Sequence, residues 1–193
     1  MQNRNIVRRI AIKEARELLE SDFVIVDTET TGLGNDAEIV EISIIDSDGT
    51  DLFTSLVRPT MPILPELVAI HGIDNAMVRN APAWKDIHDC VMHLFADKKI
   101  AIYNAQYDLR MMRQCSDFAG CKLPLLLERQ ARCVMQLYSK FVGEWSHKHG
   151  NWRWHKLSNA AQACGVSDQG AHRALADTRM TLGVLKHIAT QEI

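Results

Sequence analysis

The segment FVIVDTETTG, Phe23 to Gly32, constrains this chain more than any other. Phe23 to Val26 reads as a fully buried strand, yet the apolar run stops abruptly at Asp27 and Glu29, with one residue between them. Side chains alternate along a strand, so both carboxylates face the same side. Like charges beside a buried edge repel each other and lose hydration. A bound cation removes that cost.

Segment order gives the fold class. An amphipathic helix over Ile6 to Leu19, with Ile6, Ile10, Leu18 and Leu19 as its apolar members, opens the chain. Strands over Phe23 to Asp27, Glu38 to Asp46 and Asp51 to Val57 follow, separated by the turn-rich TTGLGND and SDGT. Links this short favour antiparallel neighbours. A helix over Trp84 to Phe95, a strand over Ile100 to Tyr103, a helix from Ala105 to about Phe118 and a short strand near Arg129 to Val134 come next. Helical segments Cys133 to Val142, Lys156 to Cys164 and Arg173 to Ala189 complete the pattern. Hairpins followed by strands with crossover helices imply an α/β fold with a mixed, mostly five-stranded sheet flanked by helices. With 193 residues, 47% of them hydrophobic, the chain can bury one core, so a single domain over 1–193 is expected, with 1–21 as an N-terminal helical extension.

Two further acids and a histidine stand in helical contexts. Asp108 follows the strand ending at Tyr103, in YNAQYDL, and Asp177 lies in AHRALADT on the last helix. His172 is five positions before Asp177; on one helix the two side chains would start about 140° apart, flanking a site without touching. Hard oxygen ligands with no cysteine among them suit Mg²⁺ or Mn²⁺ better than a structural zinc.

These segments resemble the DnaQ-like 3′–5′ exonucleases of the DEDDh group, relatives of the polymerase III epsilon proofreading subunit, RNase T and oligoribonuclease. VDTETTGL, PELVAIHGI, NAQYD and HRALAD carry the likeness, over about Phe23 to Ala189. Tyr103 and Tyr107 stand where the family often has histidine and phenylalanine. The resemblance implies a ribonuclease H-like fold and hydrolysis of a phosphodiester at a nucleic-acid 3′ end, with release of 5′-mononucleotides and DNA as the expected polymer. Asp27, Glu29, Asp108 and Asp177 would hold two divalent ions about 4 Å apart. His172 would take the proton of the attacking water. The backbone around Thr28 to Thr30 would approach the terminal sugar, and Glu66 and His71 the terminal nucleotide. A proofreading subunit and a nonenzymatic nucleic-acid-binding module are the alternatives. Few residues follow the last helix, which argues against polymerase association, and all five catalytic positions are filled, which argues against the module.

The segment WSHKHGNWRWHK, Trp145 to Lys156, exceeds what those motifs explain. Its aromatics interleave with cations, so Trp152 and Trp154 could stack bases; a packed aromatic loop over the sheet edge is the other reading. The net charge of −2 suits an enzyme that grips a few nucleotides more than one that holds a long duplex. No stretch is long and apolar enough to span a membrane, and Glu14, Glu17 and Glu20 argue against a presequence despite Arg8, Arg9, Lys13 and Arg16. Five cysteines without C-x-x-C spacing read as reduced core or near-core thiols of a cytoplasmic protein.

Overall fold

The computed structural model describes residues 4–124 and 126–192; residues 1–3 of the expected N-terminal extension lie outside them. The chain runs α1 (Arg4–Leu19), β1 (Phe23–Thr30), β2 (Ile39–Asp46), β3 (Asp51–Leu56), α2 (Pro65–His71), α3 (Asn75–Val78) and α4 (Trp84–Phe95). It continues β4 (Lys99–Ile102), α5 (Ala105–Ala119), α6 (Leu127–Gln130), β5 (Ala131–Cys133) and α7 (Val134–Val142), then β6 (Trp145–Ser146), β7 (Asn151–Trp152), α8 (Leu157–Ala163) and α9 (Ala174–Thr190). The five-stranded sheet has the order β3-β2-β1-β4-β5. Its first three strands are antiparallel neighbours, whereas β4 and β5 run parallel to β1. The mixed sheet expected from segment order is therefore present, with β1 at its centre.

Alternation along β1 divides the core in two. Phe23 and Ile25 join α1, α7, α8 and α9 in one apolar cluster; Val24 and Val26 join α4 and α5 in the other. All four of these side chains are essentially inaccessible to water, which is why an uninterrupted apolar run is needed here. The face that α1 buries is Val7, Ala11, Ile12, Ala15 and Leu18, whereas Ile6 and Ile10, expected on the apolar stripe, are exposed. Small residues at Ala11 and Ala15 let the helix approach α7 and α9 closely.

Long-range capping holds the last helix. Arg16 of α1 donates from Nε to the Ala189 carbonyl and from Nη2 to the Gln191 carbonyl, both at 2.8 Å. The cation thus meets the carbonyl end of α9, where the helix dipole favours positive charge. On the opposite face, Trp84 at the start of α4 donates from Nε1 to Ser116 Oγ of α5 at 3.0 Å, both groups being buried. Among the described residues no helix is long and apolar enough to cross a membrane. The cysteines carry no disulfide, and Cys90 is exposed rather than near the core.

Because α5 carries Asp108, the α4–α5 contact is part of the support of the acids. Replacing Ser116 by Ala leaves the buried Trp84 N–H without its acceptor and is expected to lower stability by about 1–3 kcal/mol. Urea unfolding of the two proteins measures this; a difference below about 0.5 kcal/mol would mean that another acceptor takes the indole proton.

Candidate active site

The acids emerge in the crevice beyond the carboxyl ends of the parallel strands, the usual place for a ligand in such sheets. β1 pairs with β4 only as far as Ile25 opposite Ala101. From Asp27 onward that flank of β1 is free of β4, and α5 fills it. Asp108, in the first turn of α5 and buried, accepts from the Thr28 N–H at 3.1 Å and from Thr28 Oγ1 at 2.7 Å, both through Oδ1. On the other face of β1, Asp27 and Glu29 point together toward α9, as alternation requires. Asp27, Glu29 and Asp177 each offer an oxygen within 4.8 Å of the others.

Crowding shows in the protonation of the group. Burial pushes the Asp27 carboxyl well above the usual range, helped by Asp108, Asp177, Glu29 and Glu41. Burial likewise lifts Glu29 to about 8, with Asp177, Glu41 and Asp108 adding repulsion. Asp108 is raised by burial to about 7, even though its hydrogen bonds from Thr28 favour the charged form. Asp177 is raised by burial and partly relieved by the His172 N–H. Carboxylates this close, in so little water, fit a divalent cation: hard oxygen donors with no thiol among them, whose mutual repulsion the ion would cancel.

His172 is placed differently from the helical expectation. It precedes α9, with a left-handed backbone at φ 65°, and its N–H donates to Asp177 Oδ1 at 3.1 Å. The side chains therefore do not stand on one helix about 140° apart; the backbone turns at His172 so that its own N–H meets the acid. The ring is exposed, while Asp177 is part-buried in the first turn of α9. Sequence reasoning missed Glu41. Buried in β2 and opposite Glu29 in the ladder, it accepts from Arg173 and from the Ala174 N–H. The signal was available, since Glu41 interrupts the apolar run IVEISII much as Asp27 ends FVIV.

The residues expected to hold substrate are distributed unevenly. Thr28 and Thr30 are buried at the end of β1. The Thr30 hydroxyl meets Tyr107 Oη at 2.5 Å, and Tyr107 Oη donates to the Gly32 carbonyl at 2.8 Å. Glu66 is exposed on α2. His71, the last residue of α2, is buried, and its Nδ1 accepts the Ile73 N–H at 3.0 Å. Burial lowers the His71 pKa and the Thr30 carbonyl partly restores it, which puts the ring against the end of β1, although no hydrogen bond of good geometry reaches Nε2. Gly72 ends α2 at φ 73°, a conformation its lack of a side chain makes inexpensive.

The tryptophan-rich segment forms a hairpin of β6 and β7, in which Trp145 and Trp152 pair across the strands with rings edge to face at 5.1 Å. Trp154 is exposed and lines an open cavity of about 460 Å³ that also reaches Asn104, Lys156, His172 and Asp177. The structure thus brings Trp154, and not Trp152, to the cavity that His172 and Asp177 line. Tyr103 is the link: buried beneath this cavity, it donates from its hydroxyl to the His155 carbonyl at 3.0 Å. Both tyrosines that depart from the family pattern thus tie a loop to the site through a backbone carbonyl.

Comparison with known proteins agrees with this geometry. An exonuclease family model, RNase T, matches residues 24–185. Uncharacterized exonuclease CP81 of Escherichia phage 186 is 48% identical over 181 residues, covering 92% of this chain and 93% of that protein. Exodeoxyribonuclease 10 of Escherichia coli K12 is 39% identical over 102 residues, covering 52% of this chain and 45% of that protein. Exonuclease X in complex with 5′ overhanging duplex DNA superposes with a TM-score of 0.62 at 28% identity, covering 86% of this chain and 90% of that one. Exonuclease I gives 0.73 at 19% identity, over 90% of this chain and 42% of that one, a likeness of fold alone. With the family matched from the first core strand into the last helix, and with Asp27, Glu29 and Asp177 gathered within 4.8 Å and Asp108 bonded to Thr28, the chain belongs to the exonuclease family and is a hydrolytic exonuclease.

Proposed function

We propose that the protein is a metal-dependent 3′–5′ exonuclease that shortens DNA from its 3′ end and releases 5′-mononucleotides, working in the cytoplasm. The convergence of Asp27, Glu29 and Asp177 within 4.8 Å, with Asp108 behind Thr28, carries this reading. The likeness to exonuclease X, solved with duplex DNA, and to an exodeoxyribonuclease supports DNA as the polymer. Two divalent ions, Mg²⁺ or Mn²⁺, held by Asp27, Glu29, Asp108 and Asp177 would supply the charge that aligns the attacking water and stabilises the leaving 3′ oxygen. His172, exposed at the mouth, takes the proton of that water. Asp177 keeps the histidine in place through the His172 N–H. The end of β1 at Thr28 and Thr30, with Glu66 and His71 on α2, borders the terminal nucleotide. Trp154 shares a cavity with His172 and Asp177, where a base upstream of the scissile bond can stack on it, while Trp152 acts through the hairpin that it builds with Trp145.

Asp27→Ala is expected to lose several kcal/mol of transition-state stabilisation while remaining folded, because it removes both a ligand and a buried charge. His172→Ala is expected to lower turnover about a hundredfold or more and to remove the acidic limb of the pH profile. A 3′-phosphate should slow digestion of an oligonucleotide and a 5′ block should not. Steady-state kinetics on end-labelled DNA tests all three; full activity of Asp27→Ala, or equal digestion of the two blocked ends, overturns the proposal.

Without a cation, Glu29 near 8, Asp108 near 7, and the raised Asp27 and Asp177 retain protons that the unfolded chain releases at about pH 4. The native state then binds more protons than the unfolded one, so stability is expected to fall as pH rises from about 4 to about 8. A divalent ion binds the ionised acids, so Mg²⁺ or Mn²⁺ should raise the Tm more at about pH 8 than at about pH 5.5. Differential scanning calorimetry with and without chelator measures this; equal shifts at both pH values would separate the ion from these acids.

Trp154→Ala is expected to weaken oligonucleotide binding by about 1–3 kcal/mol with little loss of turnover at saturation. Affinity measured in calcium, alongside thermal unfolding, distinguishes a contact from packing. A variant that is less stable but binds normally when folded places Trp154 with the scaffold.

A further inference from the structure

Glu41 is a fifth carboxylate beside the cluster, and the chemistry proposed above leaves it without a task. It is buried in β2 and lies directly across the antiparallel ladder from Glu29. Residues opposite each other in such a ladder point to the same face, so Glu41 faces α9 as Glu29 does. Its oxygens are engaged. Arg173 Nε reaches Oε1 and Oε2 at 3.2 and 3.1 Å, Arg173 Nη2 reaches Oε1 at 2.5 Å, and the Ala174 N–H reaches Oε2 at 2.9 Å. The arginine fork and a backbone N–H at the start of α9 therefore converge on one carboxylate.

Sequence position makes this contact consequential. Arg173 is the residue just before α9 and Ala174 is its first, so Glu41 serves as the helix cap from another strand, 132 residues away in the chain. Arg173 offers no side-chain cap of its own. His172 is the neighbour on one side, in a left-handed backbone that a non-glycine residue keeps only where its surroundings enforce it. On the other side, Asp177 follows within the first turn. The same clamp also occupies Glu41, so that this acid stays paired with Arg173 and is not a free ligand beside Asp27 and Glu29.

We infer that Glu41 and Arg173 are positioning residues of the hydrolysis: their ion pair fixes the start of α9 against β2, setting His172 and Asp177 opposite Asp27 and Glu29. The inference rests on the proposed role of His172. A pair that only stabilised the fold would lower the folded fraction and leave the turnover of folded molecules unchanged. A positioning pair alters turnover within the folded population, because a small displacement of the base misaligns it with the attacking water.

The test uses Glu41→Gln, Arg173→Gln, the double variant and Arg173→Lys, each measured on a DNA oligonucleotide below its unfolding temperature, with folded fraction from circular dichroism and Mn²⁺ affinity from calorimetry. Expected are a 10- to 100-fold fall in kcat per folded molecule for the single glutamine variants, KM for DNA within about threefold of the parent, and a double variant no worse than the worse single one. Arg173→Lys, which keeps the charge and loses the fork, should fall between; it carries the test should Arg173→Gln fail to fold. Normal kcat per folded molecule in these variants, or additive losses in the double variant, overturns the inference while leaving the exonuclease reading intact. An inactive parent protein, in contrast, defeats the exonuclease reading itself.

Discussion

Carboxylates gathered within 4.8 Å of one another, at a place where burial already disfavours their charge, repel each other, and the structure must supply the restraint that holds them there. Each acid is delivered by a different kind of support. Asp27 and Glu29 come from a strand whose apolar residues are locked between two cores. Asp108 is tethered to that strand by two hydrogen bonds from Thr28. Asp177 is carried by a helix fastened at its start by Glu41 and at its end by Arg16. Rigidity of this kind lets a site keep its charge ready for a cation, since relaxation would otherwise spread the acids apart.

Two uncharged groups help to hold the loops around the acids. Tyr107 fixes the turn after β1 through the Gly32 carbonyl, and Tyr103 fixes the approach to α8 through the His155 carbonyl. Phenolic hydroxyls are well suited to this work, because the ring fills apolar space while the single O–H satisfies a backbone acceptor. Both bonds would be absent with phenylalanine, and the turn after β1 would then rest on the bonds from Thr30 to the Gly32 carbonyl and from Arg110 to the Leu33 carbonyl.

Much of this arrangement was legible in the sequence because it depends on local pattern. An apolar run that ends in acids, strands separated by short polar turns and a helix with one apolar face are periodic signals. The central strand and the convergence of its two acids with Asp177 followed from them and from the family motifs. What escaped was non-local. The start of α9 lacks a Ser, Thr, Asp or Asn cap in its own sequence, so periodicity carried the helix back toward His172, whereas its cap is a glutamate from β2. Ile6 and Ile10 fit the apolar periodicity of α1, yet the face that it buries against α7 and α9 holds Ala11 and Ala15 instead. The hairpin of β6 and β7 is only two residues long on each side, too short for alternation to announce it.

The glutamate cap has a bearing on how the protein comes into being. A helix capped by its own sequence can form its first turn as soon as it is made, but α9 needs β2 already in place, and contacts between distant segments are slow to form because loop closure precedes any gain. During synthesis the sheet and its two strand acids emerge long before the histidine does. A chain still on the ribosome therefore holds Asp27 and Glu29 without Asp177 or His172, and the proposed site is complete only once the last helix docks.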